Sequence, residues 1–194
     1  MWRPKLKTMT ITDYKEEVIR CVSELDNEVL DFVKNRLQQD YQYNKQALWS
    51  KQVANVYLIG NGGSHAIAEH IATDLYKRCR IRAHTLSNNS LLTALTNDYS
   101  QEDALAHWLK MQKIRRSDYV IAVSSSGKSP NIIKALEFAG ELECNTLSIF
   151  GFDGEAVLTS DRDKFIKIDS HNYGVVELTS EIALHAIVEE LVVE

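Results

Sequence analysis

Tyr119-Val120-Ile121-Ala122-Val123 is an uninterrupted apolar run that empties into Ser124-Ser125-Ser126-Gly127-Lys128-Ser129-Pro130, and Asn131 to Glu141 then reads as a helix. A short apolar run without alternation marks a strand buried on both faces. A loop of hydroxyls, a glycine and a proline is a turn that starts a helix. The same strand-to-helix grammar recurs on either side. Val56-Tyr57-Leu58-Ile59 ends in Gly60, and a helical segment follows from Ser64 to Arg78. Thr146-Leu147-Ser148-Ile149-Phe150 ends in Gly151, Phe165 to Ile168 makes a last strand, and Arg82 to Leu86 is a weaker one. Leu91 to Leu95, Asp103 to Lys113 and Glu177 to Val192 are the remaining helices of this region. Strands alternating with helices predict an α/β fold with a parallel sheet covered on both faces. Five strands fit a flavodoxin-like, doubly wound sheet, in which ligands bind beyond the carboxyl ends of the strands near a switch point.

Ahead of this pattern lies a helical extension. Tyr14, Val18, Cys21, Leu25, Val29 and Phe32 recur at spacings of three and four. This predicts one amphipathic helix from a Thr12-Asp13 cap to about Leu37, and Asn44 to Lys51 a second, short one. Such a stripe has to be buried on the domain or on a partner subunit. Residues 1–52 are therefore expected to form a helical arm that serves oligomerisation, and residues 53–194 the α/β domain.

The whole chain sets the bounds. Its 194 residues suit one domain with a sizeable core. No apolar run approaches the roughly 20 residues of a membrane span, and Met1 to Thr10 is polar and basic, so neither a membrane segment nor a signal peptide is expected. The net charge of −5 comes without a clustered basic face, which speaks against nucleic acid. Cys21, Cys79 and Cys144 are odd in number, far apart and free of CxxC spacing, as expected of reduced thiols in a cytoplasmic protein.

Two loops carry chemistry. Gly60-Asn61-Gly62-Gly63-Ser64 lies between a strand and a helix, where glycines let backbone approach a ligand and Ser64 is placed to cap the helix. The free N–H groups of a helix start favour an anion or a polar sugar. The loop is neither GxGxxG nor a P-loop, and it is equally readable as a tight turn. In Ser124-Ser125-Ser126-Gly127-Lys128-Ser129, four hydroxyls and a Lys meet one helix N-terminus. The hydroxyls and backbone amides suit phosphate oxygens. The plainer reading is a Ser-rich turn with Ser129 as N-cap.

Taken in order, these segments resemble a known family. Leu58-Ile59-Gly60-Asn61-Gly62-Gly63-Ser64-His65 is similar to the opening motif of bacterial phosphoheptose isomerases, which belong to the sugar isomerase (SIS) superfamily. Val123 to Ser129 with Asn131-Ile132-Ile133-Lys134-Ala135 resembles the SIS phosphate loop and its helix. Thr96-Asn97-Asp98, Phe150-Gly151-Phe152-Asp153-Gly154 and Leu184 to Leu191 match further family segments in sequence order. The resemblance implies an SIS fold, isomerisation of sedoheptulose 7-phosphate to a heptose 7-phosphate for lipopolysaccharide precursors, a homotetramer with the pocket between subunits, and zinc in the active site. It also allows two other readings: a non-catalytic sugar-phosphate-binding regulator, and an isomerase of pentose or hexose phosphates.

Carried over residue by residue, the phosphate contacts fall on Ser124, Ser125, Ser126 and Ser129. The sugar contacts fall on Asn61, Gly62, Gly63, Ser64, Asn97 and Asp98, with Glu177 at the position of a family Gln. Enediol chemistry needs a base and a group that polarises the carbonyl; the resemblance assigns the proton transfer to Asp74 and His185. The implied metal ligands are His70, Asp74, Glu177 and His185. Two of them depart from the family, since Asp74 stands for Glu and Glu177 for Gln. His70 and Asp74 share a helix face at i,i+4. Glu177 and His185 are separated by about 12 Å of helix rise, which makes Glu181, at i,i+4 to His185, the nearer alternative ligand. His65 and Glu69 adjoin the site by sequence. His84, His107 and His171 have no evident partner, and the three Trp read as packing.

Overall fold

The computed structural model describes residues 9–45 and 54–192. Its elements are α1 (Ile11–Ser23), α2 (Asn27–Lys45), β1 (Asn55–Ile59), α3 (Gly63–Lys77), β2 (Arg82–His84), α4 (Asn89–Asp98), α5 (Ala104–Met111), β3 (Tyr119–Ser124), α6 (Pro130–Glu141), β4 (Asn145–Phe150), β5 (Asp163–Lys167) and α7 (Tyr173–Leu191). The five strands are all parallel in the order β2-β1-β3-β4-β5. This is the doubly wound α/β arrangement the alternation predicts. β3 and β4 are buried along their whole length.

Period-two alternation sends each strand's side chains into two cores. Val56 and Leu58 of β1 and Tyr119, Ile121 and Val123 of β3 join α3, α7 and the N-terminal helices on one face. Tyr57, Ile59, Val120 and Ala122 join α5, α6 and Leu95 of α4 on the other. α7 is the spine of the first core, with Val175, Ala183 and Val188 without solvent exposure. α1 and α2 bury their stripe here through Cys21, Leu30, Val33 and Leu37. Arg20 donates to the Asp169 carbonyl at 2.5 Å, and Ser170 donates to the Glu17 carboxylate, tying α1 to the loop after β5.

Some expected boundaries shift, each for a local reason. The single N-terminal helix is two. Asp26 Oδ1 accepts from the Glu28 and Val29 amides at 3.0 and 3.1 Å, so it caps a new helix at Asn27 and breaks the stripe. The first helix starts at a Thr10–Asp13 capping box, two residues before the expected cap. α7 begins at Tyr173, because Asn172 Oδ1 takes the Gly174 and Val175 amides. The short helix expected at Asn44–Lys51 lies almost wholly outside the described residues. All three cysteines are free and buried, and burial pushes the Cys79 and Cys144 thiols up to about 11 and about 12.

The amino ends of the strands are pinned by two buried carboxylates. Asp118 accepts from the Asn55 and Arg115 amides, each at 2.8 Å, while its carbonyl takes the Asn145 amide, so β1, β3 and β4 start in register. Asp163 accepts from Thr146 Oγ1 at 2.6 Å, from the Thr159 and Ser160 amides at 2.7 Å each, and from Thr159 Oγ1 at 3.0 Å. Burial alone would raise its pKa, but these hydrogen bonds outweigh it and hold the carboxyl below its ordinary 3.8. A depressed carboxylate contributes stability that is complete above the unfolded value and is lost as pH falls through the folded one. Urea denaturation should therefore show Asp163→Asn destabilised at neutral pH by about 1–3 kcal/mol. Its stability should also fall less steeply than the wild type's below about pH 4.

Candidate active site

The strand order reverses between β1 and β3: the helix after β1 covers one face of the sheet and the helix after β3 the other. A cleft of about 620 Å³ opens there, beyond the carboxyl ends of the strands. Gly60, Asn61, Gly62 and His65 line one side, Thr93, Thr96, Asn97 and Gln101 another, and Asn131 a third. Asn61 and Asn131 exchange two amide hydrogen bonds of 2.9 Å, which clasp the loop after β1 to the start of α6 across the switch point. Sequence reasoning missed Asn131 as a site residue; its place just after Pro130 at a helix start is the signal that could have found it.

Of the helices that start at this end of the sheet, α4 and α7 are capped by Asn88 and Asn172, whereas α3 and α6 have no side-chain cap. α3 begins after Gly62, whose φ of +56° needs a residue without Cβ. Ser64, expected as the cap, lies buried inside the first turn. A Cβ on Gly63 would stand 2.5–2.7 Å from the Glu177 carboxylate, so this acid from α7 lies over the positive end of α3. At α6, Ser129 is the N-cap residue, but its hydroxyl makes no capping bond. Ser126 Oγ accepts from the Lys128 amide at 3.2 Å, and the Ser125 carbonyl accepts from the Gly151 amide at 3.1 Å. Ser124 and Ser125 are buried, and the Ser125 hydroxyl has no hydrogen-bond partner among the described residues.

Asn97 lines the cleft and donates to the Asp98 carboxylate at 3.0 Å. Asp98 itself is not among the residues that line it.

α3 and α7 pack together and bring a second set of groups into range. The His70 and His185 rings stand 5.1 Å apart, edge to face. His185 Nδ1 lies 3.8 Å from Asp74 Oδ2, and its Nε2 lies 3.9 Å from Glu181 Oε1. Both distances exceed a hydrogen bond, which leaves the ring nitrogens uncommitted. His70, Glu181 and His185 each offer one ligand atom, all within 4.8 Å of one another. Two imidazoles and a carboxylate are a donor set that zinc accepts, so the residues present fit a metal. Of the four ligands expected from sequence, the structure brings His70 and His185 into this cluster. It leaves Asp74 at its edge, 3.4 Å from Arg78 NH1, which also contacts Glu189 at 2.7 Å. Glu177 stands apart, over Gly63. The pairing of Arg78 with Glu189 lay outside the sequence reading, because it spans α3 and α7. The Arg78 guanidinium holds the Glu189 carboxyl below its usual range.

The other histidines find separate surroundings. His65 lies 3.5 Å from Glu69. His84 stacks on Tyr57, and burial lowers its pKa. His107 stacks on Tyr99, and His171 lies 3.2 Å from Asp153. Trp108 packs edge-on against Tyr57 in the core. Among the described residues no helix is long and apolar enough to cross a membrane.

Residues 34–151 match the family described as SIS domain. A probable phosphoheptose isomerase from Thermoplasma volcanium is 31% identical over 166 residues, covering 79% of this chain and 84% of that protein. A phosphoheptose isomerase from Helicobacter pylori is 39% identical over 105 residues, so the alignment spans about half of either chain, 51% and 54%. The solved structure of a phosphoheptose isomerase from Neisseria gonorrhoeae superposes with a TM-score of 0.80 at 22% identity, covering 93% of this chain and 96% of that one, a likeness of fold. With its sheet order, its two uncapped helix starts and these relatives, the chain belongs to the SIS domain family.

Proposed function

We propose that the chain is a phosphosugar aldose–ketose isomerase, acting on sedoheptulose 7-phosphate in the supply of lipopolysaccharide heptose precursors. The observation that carries this reading is the buried Ser125 hydroxyl, without a hydrogen-bond partner among the described residues, in the loop that leads into the uncapped start of α6. An orphaned buried hydroxyl costs about 1–3 kcal/mol, and a phosphate oxygen relieves that cost. Ser124, Ser126 and Ser129 belong to the same loop, and the α6 amides add their partial positive charge. The sugar then extends into the cleft toward Asn61, Gly62 and Asn97, which line it, whereas Gly63, Ser64 and Asp98 do not. The names of the relatives support the isomerase class.

Isomerisation moves a proton between adjacent carbons through an enediol, so it needs a base near those carbons. His185, with free ring nitrogens, takes and returns that proton, and Asp74 is the paired carboxylate. His70 and His185, with a carboxylate from Glu181 or, at the edge of the cluster, Asp74, would hold zinc, which as a Lewis acid would polarise the substrate carbonyl. Ile11 and Ile19 on α1 and Tyr173, Leu178 and Ile182 on α7 are exposed apolar side chains, which supports a homo-oligomer, read as the family's tetramer. A cytoplasmic location fits the sugar-phosphate substrate. One observation favours a non-catalytic sugar-phosphate-binding role instead: Arg78 engages Asp74, a residue already one methylene shorter than the family's Glu.

Purified protein should turn over sedoheptulose 7-phosphate, with zinc restoring activity lost to a chelator. His185→Ala should lose roughly 10²-fold or more. Absent turnover combined with thermal stabilisation by sugar phosphates would establish the binding role. A second variant tests the phosphate loop itself. A Cβ on Gly154 would stand 2.9 Å from both the Ser126 carbonyl and the Gly127 Cα. Gly154→Ala should therefore displace the loop, lowering stability by about 1–3 kcal/mol and removing the shift in melting temperature that inorganic phosphate produces in the wild type.

A further inference from the structure

At the opposite end of the sheet, a cavity of about 430 Å³ is lined by Arg36, Arg115, Arg116, Ser117, Asn145 and Arg162. Arg36 comes from α2, Arg115 to Ser117 from the turn into β3, Asn145 from the first position of β4, and Arg162 from the residue before β5. Strands β3 and β4 run six residues each, so this end lies about 20 Å from the phosphate loop. Four guanidinium groups around one cavity stand out in a chain whose net charge is −5.

Carboxylates account for only part of this charge. Arg116 NH1 meets Glu143 at 3.0 Å, and Arg115 NH2 lies 3.8 Å from Asp118, whose oxygens already accept backbone amides. Arg36 and Arg162 have no carboxylate within 4 Å among the described residues. Arg162 donates one guanidinium N–H to the Arg116 carbonyl at 3.1 Å, yet its Nε is buried and lacks any partner among the described residues. A buried, unsatisfied N–H on a charged group is costly unless a ligand takes it. The guanidinium fork matches oxyanions bidentately, and the Ser117 and Asn145 side chains add neutral polar groups.

We propose that this cavity is a second anion site, separate from the sugar cleft, for a compact phosphate-bearing oxyanion. The free inorganic anion and the polyphosphate end of a nucleotide share the chemistry it recognises. The site does not depend on the isomerase reading, since none of its residues belongs to the cleft or to the α3–α7 cluster.

Calorimetric titration of the full chain with inorganic pyrophosphate at low ionic strength tests it, and ATP run as a competitor separates the two sources. Two classes of pyrophosphate site are expected. Arg36→Ala and, independently, Arg116→Ala should each weaken one class by roughly tenfold, while Gly154→Ala removes the other. The Arg36 and Arg116 side chains are not buried, so both variants should keep the wild-type melting temperature without anion. Displacement of that class by ATP identifies a nucleotide-type ligand, and its persistence identifies a small inorganic one. A single class, lost in Gly154→Ala and unchanged in both arginine variants, would overturn the proposal.

Discussion

Everything in this molecule follows from the parallel pairing of β1 with β3. Val56 to Ile59 run beside Tyr119 to Ala122, in the same direction and in register. Because both strands end at the same edge, the loops that leave them are neighbours, yet their helices depart to opposite faces. That divergence opens the crevice, and it aims two helix starts at one volume. The electrostatic character of the site is thus a property of the backbone before any side chain is considered. The side chains refine it: glycines let the loops turn, the serines supply hydroxyls, and the Asn61–Asn131 clasp holds the two loops at a fixed separation.

The second set of groups depends on a different contact. α3 and α7 lie together on one face, with Ile71, Leu75, Leu184 and Val188 buried in the same core. Once those apolar residues pack, His70 and His185 have to meet, and the acids one turn away on either helix surround them. Arg78 complicates this arrangement, because it draws Asp74 and Glu189 toward the end of α3. Asp74 thus stands between two partners, Arg78 at 3.4 Å and the His185 imidazole at 3.8 Å.

Much of this was legible in the sequence, and the exceptions share a cause. The strand at Tyr119–Val123 and the order of loops and helices can be read from local composition, because a strand buried on both faces has no polar positions. The break at Asp26 was missed because apolar periodicity continues across it; only the side-chain cap, a choice between two local hydrogen-bond patterns, ends the helix. Ser64 was read as a cap although Gly62 takes that place, since the glycine's left-handed backbone outweighs a hydroxyl's preference. Helical spacing put Glu181 beside His185. That Glu177 would lie over Gly63, and that Arg78 would reach Asp74 and Glu189, depends on how α7 crosses α3. No spacing within one segment encodes such a crossing.

The contact between Gly127 and Gly154 carries a consequence for how substrate range can drift. A Cβ on either residue would meet the other's Cα at less than 3 Å, so the turns after β3 and β4 are in contact, backbone against backbone. No room exists there for a larger side chain, so these two turns are closed to variation. The far wall is different. Thr93, Thr96, Asn97 and Gln101 reach the cleft from α4 and the turn after it, with exposed side chains that exchange freely without disturbing the core. In this chain the wall along α4 is thus the part of the cleft that substitution reshapes most cheaply.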